Sequence, residues 1–292
     1  AGRSACHHGR IFLSYIILFL SPSLPIKDAH AFGLRLNEGG AGALFASGHD
    51  RIEPVWSPTS MESAEDTLTA ALRRHRIDLA AEQVARLERF CALLWEWNTK
   101  INLTRHTDHE KFVARDLVDT LAFAEFLAPG EQVLDVGTGG GVPGVPLAVV
   151  RPDLRVWLCE SVAKKARAAA DIVSRLGLPV PVHHGRAEDL LARQPFNTLL
   201  VRAVAPLPKL LGWFGPHWES FDRMLVLKGP AWVEERGEAR HRGLLRTLAL
   251  RKLTSYPLPG TQAESVLLQI CPHERMLDQR RCRMRRIGKD EG

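Results

Sequence analysis

The chain has 292 residues, of which 45% are hydrophobic, and carries a net charge of +6 with a sequence pI near 9.3. That length suits one α/β domain plus extensions, the apolar share supports a full core, and the positive charge suits a polyanionic partner. Five cysteines, at 6, 91, 159, 271 and 282, are odd in number and lack a CxxC pair, which argues against a disulfide framework or a zinc site.

Taken in chain order, residues 1–60 behave differently from the rest. Arg10 precedes the apolar run 11–20, and Ala29-His30-Ala31 resembles a signal-peptidase site, but a ten-residue run is too short to span a bilayer. No methionine occurs before Met61, after which Ser63-Ala64-Glu65 opens a helical pattern. The expectation is a natural start at Met61, with 1–60 an upstream or disordered extension and a cytoplasmic, unexported protein. Between 68 and 98 the apolar positions Leu72, Ile77, Leu79, Val84, Leu87, Phe90, Leu94 and Trp97 predict two amphipathic helices, and 111–127 predicts a third. Residues 61–128 are thus expected to form a helical cap packed on the edge of a sheet, ahead of a core over 129–274.

From 131 onward, strands and helices alternate with short connections. Residues 131–135 read as a strand, 156–159 as a second, 163–176 as a helix ending at Gly177, and 180–184 as a third strand. Residues 197–201 and 223–227 follow as a fourth and fifth, and 248–257 and 265–271 as a late hairpin at the sheet edge. The alternation predicts a doubly wound, mostly parallel sheet of seven strands. Arginines at 280, 281, 283, 285 and 286 make the tail over 275–292 basic: a phosphate-tracking arm or a solvated end.

The most informative segment is Asp135-Val-Gly137-Thr-Gly139-Gly-Gly141-Val142-Pro143-Gly144. A strand running into glycines at alternate positions needs backbone that no side chain crowds, so a ligand is expected on that turn. The usual dinucleotide fingerprint places its acid a strand later; here one acid precedes the glycines and another, Glu160, closes the next strand. Glu160 suits a ribose diol, and Asp135 suits a cationic ligand such as a sulfonium. S-adenosylmethionine offers both and carries no phosphate. Asp135 has a second reading, as a cap that bonds the amides of the glycine turn. The turn at Gly185-Arg-Ala-Glu188-Asp189 lies where an adenine amino group would be held.

Further motifs extend the pattern: Trp95-Glu-Trp-Asn98, Ile101-Asn-Leu-Thr104, Pro146-Leu147, Arg151-Pro152, Arg186-Ala-Glu188, Arg202-Ala203 and Leu227-Lys-Gly229. Together with the glycine segment, and in this order across 85–272, they resemble the ribosomal RNA small subunit methyltransferase G family, also called glucose-inhibited division protein B. The resemblance implies a Rossmann-like class I S-adenosylmethionine-dependent enzyme that methylates N7 of one guanine in 16S ribosomal RNA of the small ribosomal subunit. It also implies that Gly137, Val142, Ala187, Glu188 and Arg202 contact the cofactor. Two positions depart from it: Gly140 stands where the family often has proline or alanine, and Asp116 replaces a frequent histidine.

The chemistry is consistent with few catalytic residues. Guanine N7 is already a nucleophilic lone pair, so the reaction asks for alignment and charge stabilisation and no obligatory base. Exocyclic amine methylation would call for an Asn/Asp-Pro-Pro-aromatic turn where this chain has Arg202-Ala-Val-Ala, and 5-methylcytosine chemistry for a Pro-Cys nucleophile that is missing. Arg202 and Lys228, each at a strand end, are the candidate catalytic cations, pairing with the methionine carboxylate or an RNA phosphate, or else no more than solvated strand termini. His183 and His184 are adjacent, point to opposite faces and are taken as ordinary, so no metal is expected. Gly139 joins Asp135, Gly137, Val142 and Glu160 as cofactor-binding candidates. A monomer free of membranes is expected. A small-molecule methyltransferase of the same fold, or an RNA-binding module without activity, are the other readings.

Overall fold

The computed structural model describes residues 66–258 and 262–276; the expectations for residues 1–60, for a helical start at 63–65 and for the tail at 277–292 lie outside them. Seven strands form one sheet: β1 Gln132–Val136, β2 Arg155–Glu160, β3 Val182–His184, β4 Phe196–Arg202, β5 Phe221–Lys228, β6 Leu248–Pro257 and β7 Glu264–Pro272. Their spatial order is β3-β2-β1-β4-β5-β7-β6, with β7 running opposite to the other six. This is the doubly wound, mostly parallel sheet of seven strands that the alternation predicts, and the sheet order reverses between β1 and β4.

The late hairpin forms at the sheet edge, with β6 outermost and β7 inserted between it and β5. The sequence carries the reason. β7 is buried continuously from Ser265 to Cys271, whereas β6 exposes Arg251 and Lys252, charges that suit an unpaired edge.

Alternation along the strands sorts the core into two layers. Val133, Leu158, Leu200, Leu225 and Leu267 pack on one face, and Leu134, Cys159, Leu199, Val226 and Leu268 on the other. Helices α1 Leu68–Arg74, α2 Ala81–Asn98, α4 Gly144–Val150 and α5 Ala163–Leu176 accompany the first layer. Helices α6 Ala187–Leu191, α7 Leu207–Phe214 and α8 Trp232–His241 accompany the second. Helix α3, also on the first layer, is one run of three stretches: α-helical His109–Lys111, π-helical Phe112–Leu117 and α-helical Val118–Ala124. Among the described residues no helix is long and apolar enough to cross a membrane.

The N-terminal helices cover a face of the domain, and not the sheet edge as expected. Leu87, Phe90 and Leu94 of α2 share a core with Val145 and Leu147 of α4 and Ile172 and Val173 of α5. An amphipathic stripe needs apolar surface, which α4 and α5 supply and a strand edge does not. Two polar ties fix the docking: Trp97 Nε1 donates to Asp171 Oδ2 at 2.7 Å, and Gln83 Nε2 donates to the carbonyls of Val149 and Val150 at 3.3 and 3.2 Å. The latter are orphan acceptors at the C-terminal end of α4.

Candidate functional site

The carboxyl ends of β1, β2 and β4 frame the crevice where an open α/β sheet binds its ligands. Asp135, 1% exposed, accepts through Oδ2 from Thr138 Oγ1 at 2.6 Å and from the Gly144 amide at 2.9 Å. Burial pushes its carboxyl up to about 6, against the pull of those two hydrogen bonds and of Arg202. Glu160 closes the turn from the next strand: Oε2 accepts from the Gly139 amide at 3.0 Å and Oε1 from the Val162 amide at 2.8 Å. The capping reading of Asp135 thus describes its contacts, and Glu160 caps as well.

Four further turn amides are also engaged. Those of Gly137 and Thr138 donate to Cys159 O at 2.8 and 3.1 Å, and those of Gly141 and Val142 to Thr138 O at 2.9 and 3.2 Å. Six of the turn's amides therefore donate within the chain, which leaves little for a phosphate and fits a phosphate-free ligand. Gly139 takes φ +58°, and a Cβ there would meet only the Gly137 carbonyl oxygen, at 4.0 Å. Its outer side is open space. Gly144 is the opposite: a Cβ would fall 2.2 Å from Leu158 Cδ2 and 2.8 Å from Asp135 Oδ2. At Gly140 a Cβ would fall 2.6 Å from Leu94 Cδ1, so the departure from proline or alanine lets the cap sit close on the turn.

Of the other expected positions, Val142 packs half-buried against the first layer, and Ala187 is buried at the start of α6. Glu188 follows on the same turn with its carboxylate paired to Arg186. His183 and His184 stand side by side in β3. Among the described residues no cluster of three or more His, Cys, Asp or Glu side chains is placed to hold a metal.

Arg202 and Lys228 each bind acids of the fold itself, so neither is a bare solvated strand terminus. Arg202 Nη2 lies 2.6 Å from Asp116 Oδ1 and Nε 2.7 Å from Asp119 Oδ2, carboxylates whose side chains are 3% and 4% exposed. Burial alone would lower the Arg202 pKa; Asp119 and Asp116 outweigh it and raise it above the ordinary value. Burial raises the Asp119 carboxyl, opposed by Arg202 and by a 2.6 Å hydrogen bond from Tyr256 Oη. The far oxygen of Asp116 pairs with His106 Nδ1 at 2.9 Å. An imidazole therefore stays in this cluster although residue 116 itself is an acid. Lys228 Nζ lies 2.6 Å from Ala205 O and 2.8 Å from Glu235 Oε2, and the latter also accepts from the Leu207 amide at 2.7 Å. It pins the loop that leaves β4.

Sequence reasoning missed Asp119, His106 and Tyr256, whose partners lie far along the chain or on another element. The one available signal was Asp116 itself, the position that departs from the family pattern.

A family model described as GidB, rRNA small subunit methyltransferase G, matches residues 83–256. The chain belongs to this family. Among its relatives, the ribosomal RNA small subunit methyltransferase G of Rhodopirellula baltica is 49% identical over 194 residues, 66% of this chain and 84% of that one. The protein of the same name from Marinobacter nauticus is 35% identical over 209 residues, covering 71% and 95%. The match to the methyltransferase G family takes in the glycine turn, Glu160, both arginine-bound aspartates and Tyr256.

Proposed function

We propose that this chain transfers a methyl group from S-adenosylmethionine to N7 of one guanine in 16S ribosomal RNA, acting in the cytoplasm as a metal-free monomer on RNA or a small-subunit particle. The observation that carries the proposal is the glycine turn of a methyltransferase G family member, with six of its amides satisfied internally and its outer side bare. Gly137, Gly139 and Val142 along the turn, Glu160 beside it, and Ala187 and Glu188 at the end of β3 would hold the donor. When bound, S-adenosylmethionine supplies a methyl group on a positively charged sulfur.

The chain's own residues have three tasks. The carboxylates of Asp135 and Glu160 fix the turn in one conformation and place negative charge beside the crevice. The Arg202 cluster ties α3 to β4 and to Tyr256 of β6, which fixes α3 at the carboxyl end of β4. Alignment is then the remaining requirement, since the N7 lone pair needs no base to expose it. For RNA, Arg186 and Lys209 stack on Trp213, their charged ends 5.6 and 5.2 Å from its ring centre, a basic aromatic patch at the end of β3. That patch favours RNA over a small-molecule acceptor.

The test uses labelled S-adenosylmethionine with three acceptors lacking the modification: naked 16S RNA, a partial assembly and complete small subunits. Label entering at least one of them is expected. Donor binding without transfer to any would leave a binding module, and transfer to small molecules alone would leave the other enzyme class.

A further inference from the structure

S-adenosylmethionine ends in an amino acid, so the reading above sets a carboxylate beside the glycine turn. Six of the turn's amides already donate within the chain, and backbone amides carry no full charge, so that carboxylate calls for a cation from elsewhere. Arg202 is engaged through Nε and Nη2 by two buried aspartates. A second arginine stands beside the aspartates that Arg202 binds. Arg115, half-buried in the π-helical stretch of α3, immediately precedes Asp116. It lies close enough to Asp119 to help hold that carboxyl down.

Arg115 differs from Arg202 in what it touches. Its Nε is buried and has no hydrogen-bond partner. No salt bridge joins it to a described carboxylate, whereas Arg202 makes two. A buried donor left unmade is costly, and a guanidinium is the group whose planar fork best matches a carboxylate. The location fits as well, because Asp119 binds Arg202 at the carboxyl end of β4, and Arg202 in turn acts on Asp135 at the end of β1. Those are the two strands between which the sheet order reverses.

We infer that Arg115 receives the carboxylate at the amino-acid end of the methyl donor. Arg202 acts behind it, holding Asp116 and Asp119 so that neither captures the Arg115 guanidinium. The inference rests on the proposed donor site and adds the residue that anchors its charged end.

Titration calorimetry with two ligands separates the two claims. S-adenosylhomocysteine carries the amino acid; 5′-methylthioadenosine has the same nucleoside and thioether without it. For Arg115→Gln, affinity for S-adenosylhomocysteine is expected to fall about 10- to 100-fold, the range of a lost charge-assisted pair, with 5′-methylthioadenosine unaffected. Arg115→Lys keeps the charge without the fork and is expected between the two. If Arg115→Gln fails to fold, the unaltered protein should still bind S-adenosylhomocysteine at least about tenfold tighter than its decarboxylated analogue; equal affinities would overturn the assignment. Unaltered protein that binds neither nucleoside overturns the donor site itself. Arg115→Gln that binds S-adenosylhomocysteine normally overturns the Arg115 assignment alone, and if RNA binding is lost at the same time, the guanidinium serves a phosphate instead. Equal weakening of both nucleosides also overturns it.

Discussion

Gly139 and Gly144 lie five positions apart in one segment, and the structure gives them opposite sensitivities. In Gly139→Ala the new Cβ enters open space, 4.0 Å from its only neighbour, so the fold bears only the left-handed backbone at φ +58°. That costs about 1–2 kcal/mol, partly offset by the smaller entropy of the unfolded alanine chain. The net should be about 1 kcal/mol, a drop of about 2–4 °C in melting temperature for a domain of this size. In Gly144→Ala the Cβ lies 2.2 Å from Leu158 Cδ2, on a side chain that is 0% exposed, and 2.8 Å from Asp135 Oδ2. Overpacking of about 1–3 kcal/mol adds to about 1–3 kcal/mol for a carboxylate pushed off its donors. Thermal melts and calorimetry with S-adenosylhomocysteine read both effects. Gly139→Ala should melt near the unaltered protein yet bind at least about tenfold more weakly, because its side chain enters the space proposed for the ligand. Gly144→Ala should lose about 2–6 kcal/mol of stability, with any binding defect following the loss of fold. The reasoning fails if Gly139→Ala binds normally, or if it is the less stable of the two.

Three further outcomes follow from the buried charges. The Asp135 carboxyl is raised from 3.8 to about 6, so its contribution to stability is full below pH 4 and is lost as pH rises through 6, by about 3 kcal/mol. Asp135→Asn keeps an acceptor for Thr138 and Gly144 without the charge, and should flatten that slope; urea unfolding at pH 4.5 and 7 checks it, and an unchanged slope would assign the dependence elsewhere. Arg202→Met strands two carboxylates whose side chains are 3% and 4% exposed and should cost about 3–5 kcal/mol, against which a wild-type melting curve with lost turnover would argue for a chemical role. Tyr256→Phe removes one hydrogen bond to Asp119, 2.6 Å long, and should cost about 1.5–3 kcal/mol by chemical denaturation; a neutral result would mean that Arg202 alone satisfies that acid.

Local features were legible where one element's own sequence decides them. The helix over 163–176 ends at Gly177, which takes φ +63°, and the edge strand spans 248–257 as its pattern predicts. The glycine turn and both acids flanking it were also readable, because strand ends and glycines mark them directly. What could not be read depends on distant partners. Period and charge pattern do not reveal that Asp119 meets Arg202, 83 residues on, and Tyr256, 137 residues on. The π-helical stretch Phe112–Leu117 carries no distinctive local signal, although it holds Arg115 and Asp116. A basic residue at a strand end looks the same whether it waits for a ligand or, like Lys228, is already bound to Glu235. Amphipathic helices announce an apolar stripe but not the surface that receives it, hence the cap on α4 and α5 in place of the sheet edge.

The most direct measurement is nucleoside analysis by mass spectrometry of 16S RNA from unmodified small subunits incubated with the protein and methyl-labelled donor. One 7-methylguanosine per RNA, at a single position, is the predicted product. Label in an exocyclic amine, in a pyrimidine or in no nucleoside would contradict the account.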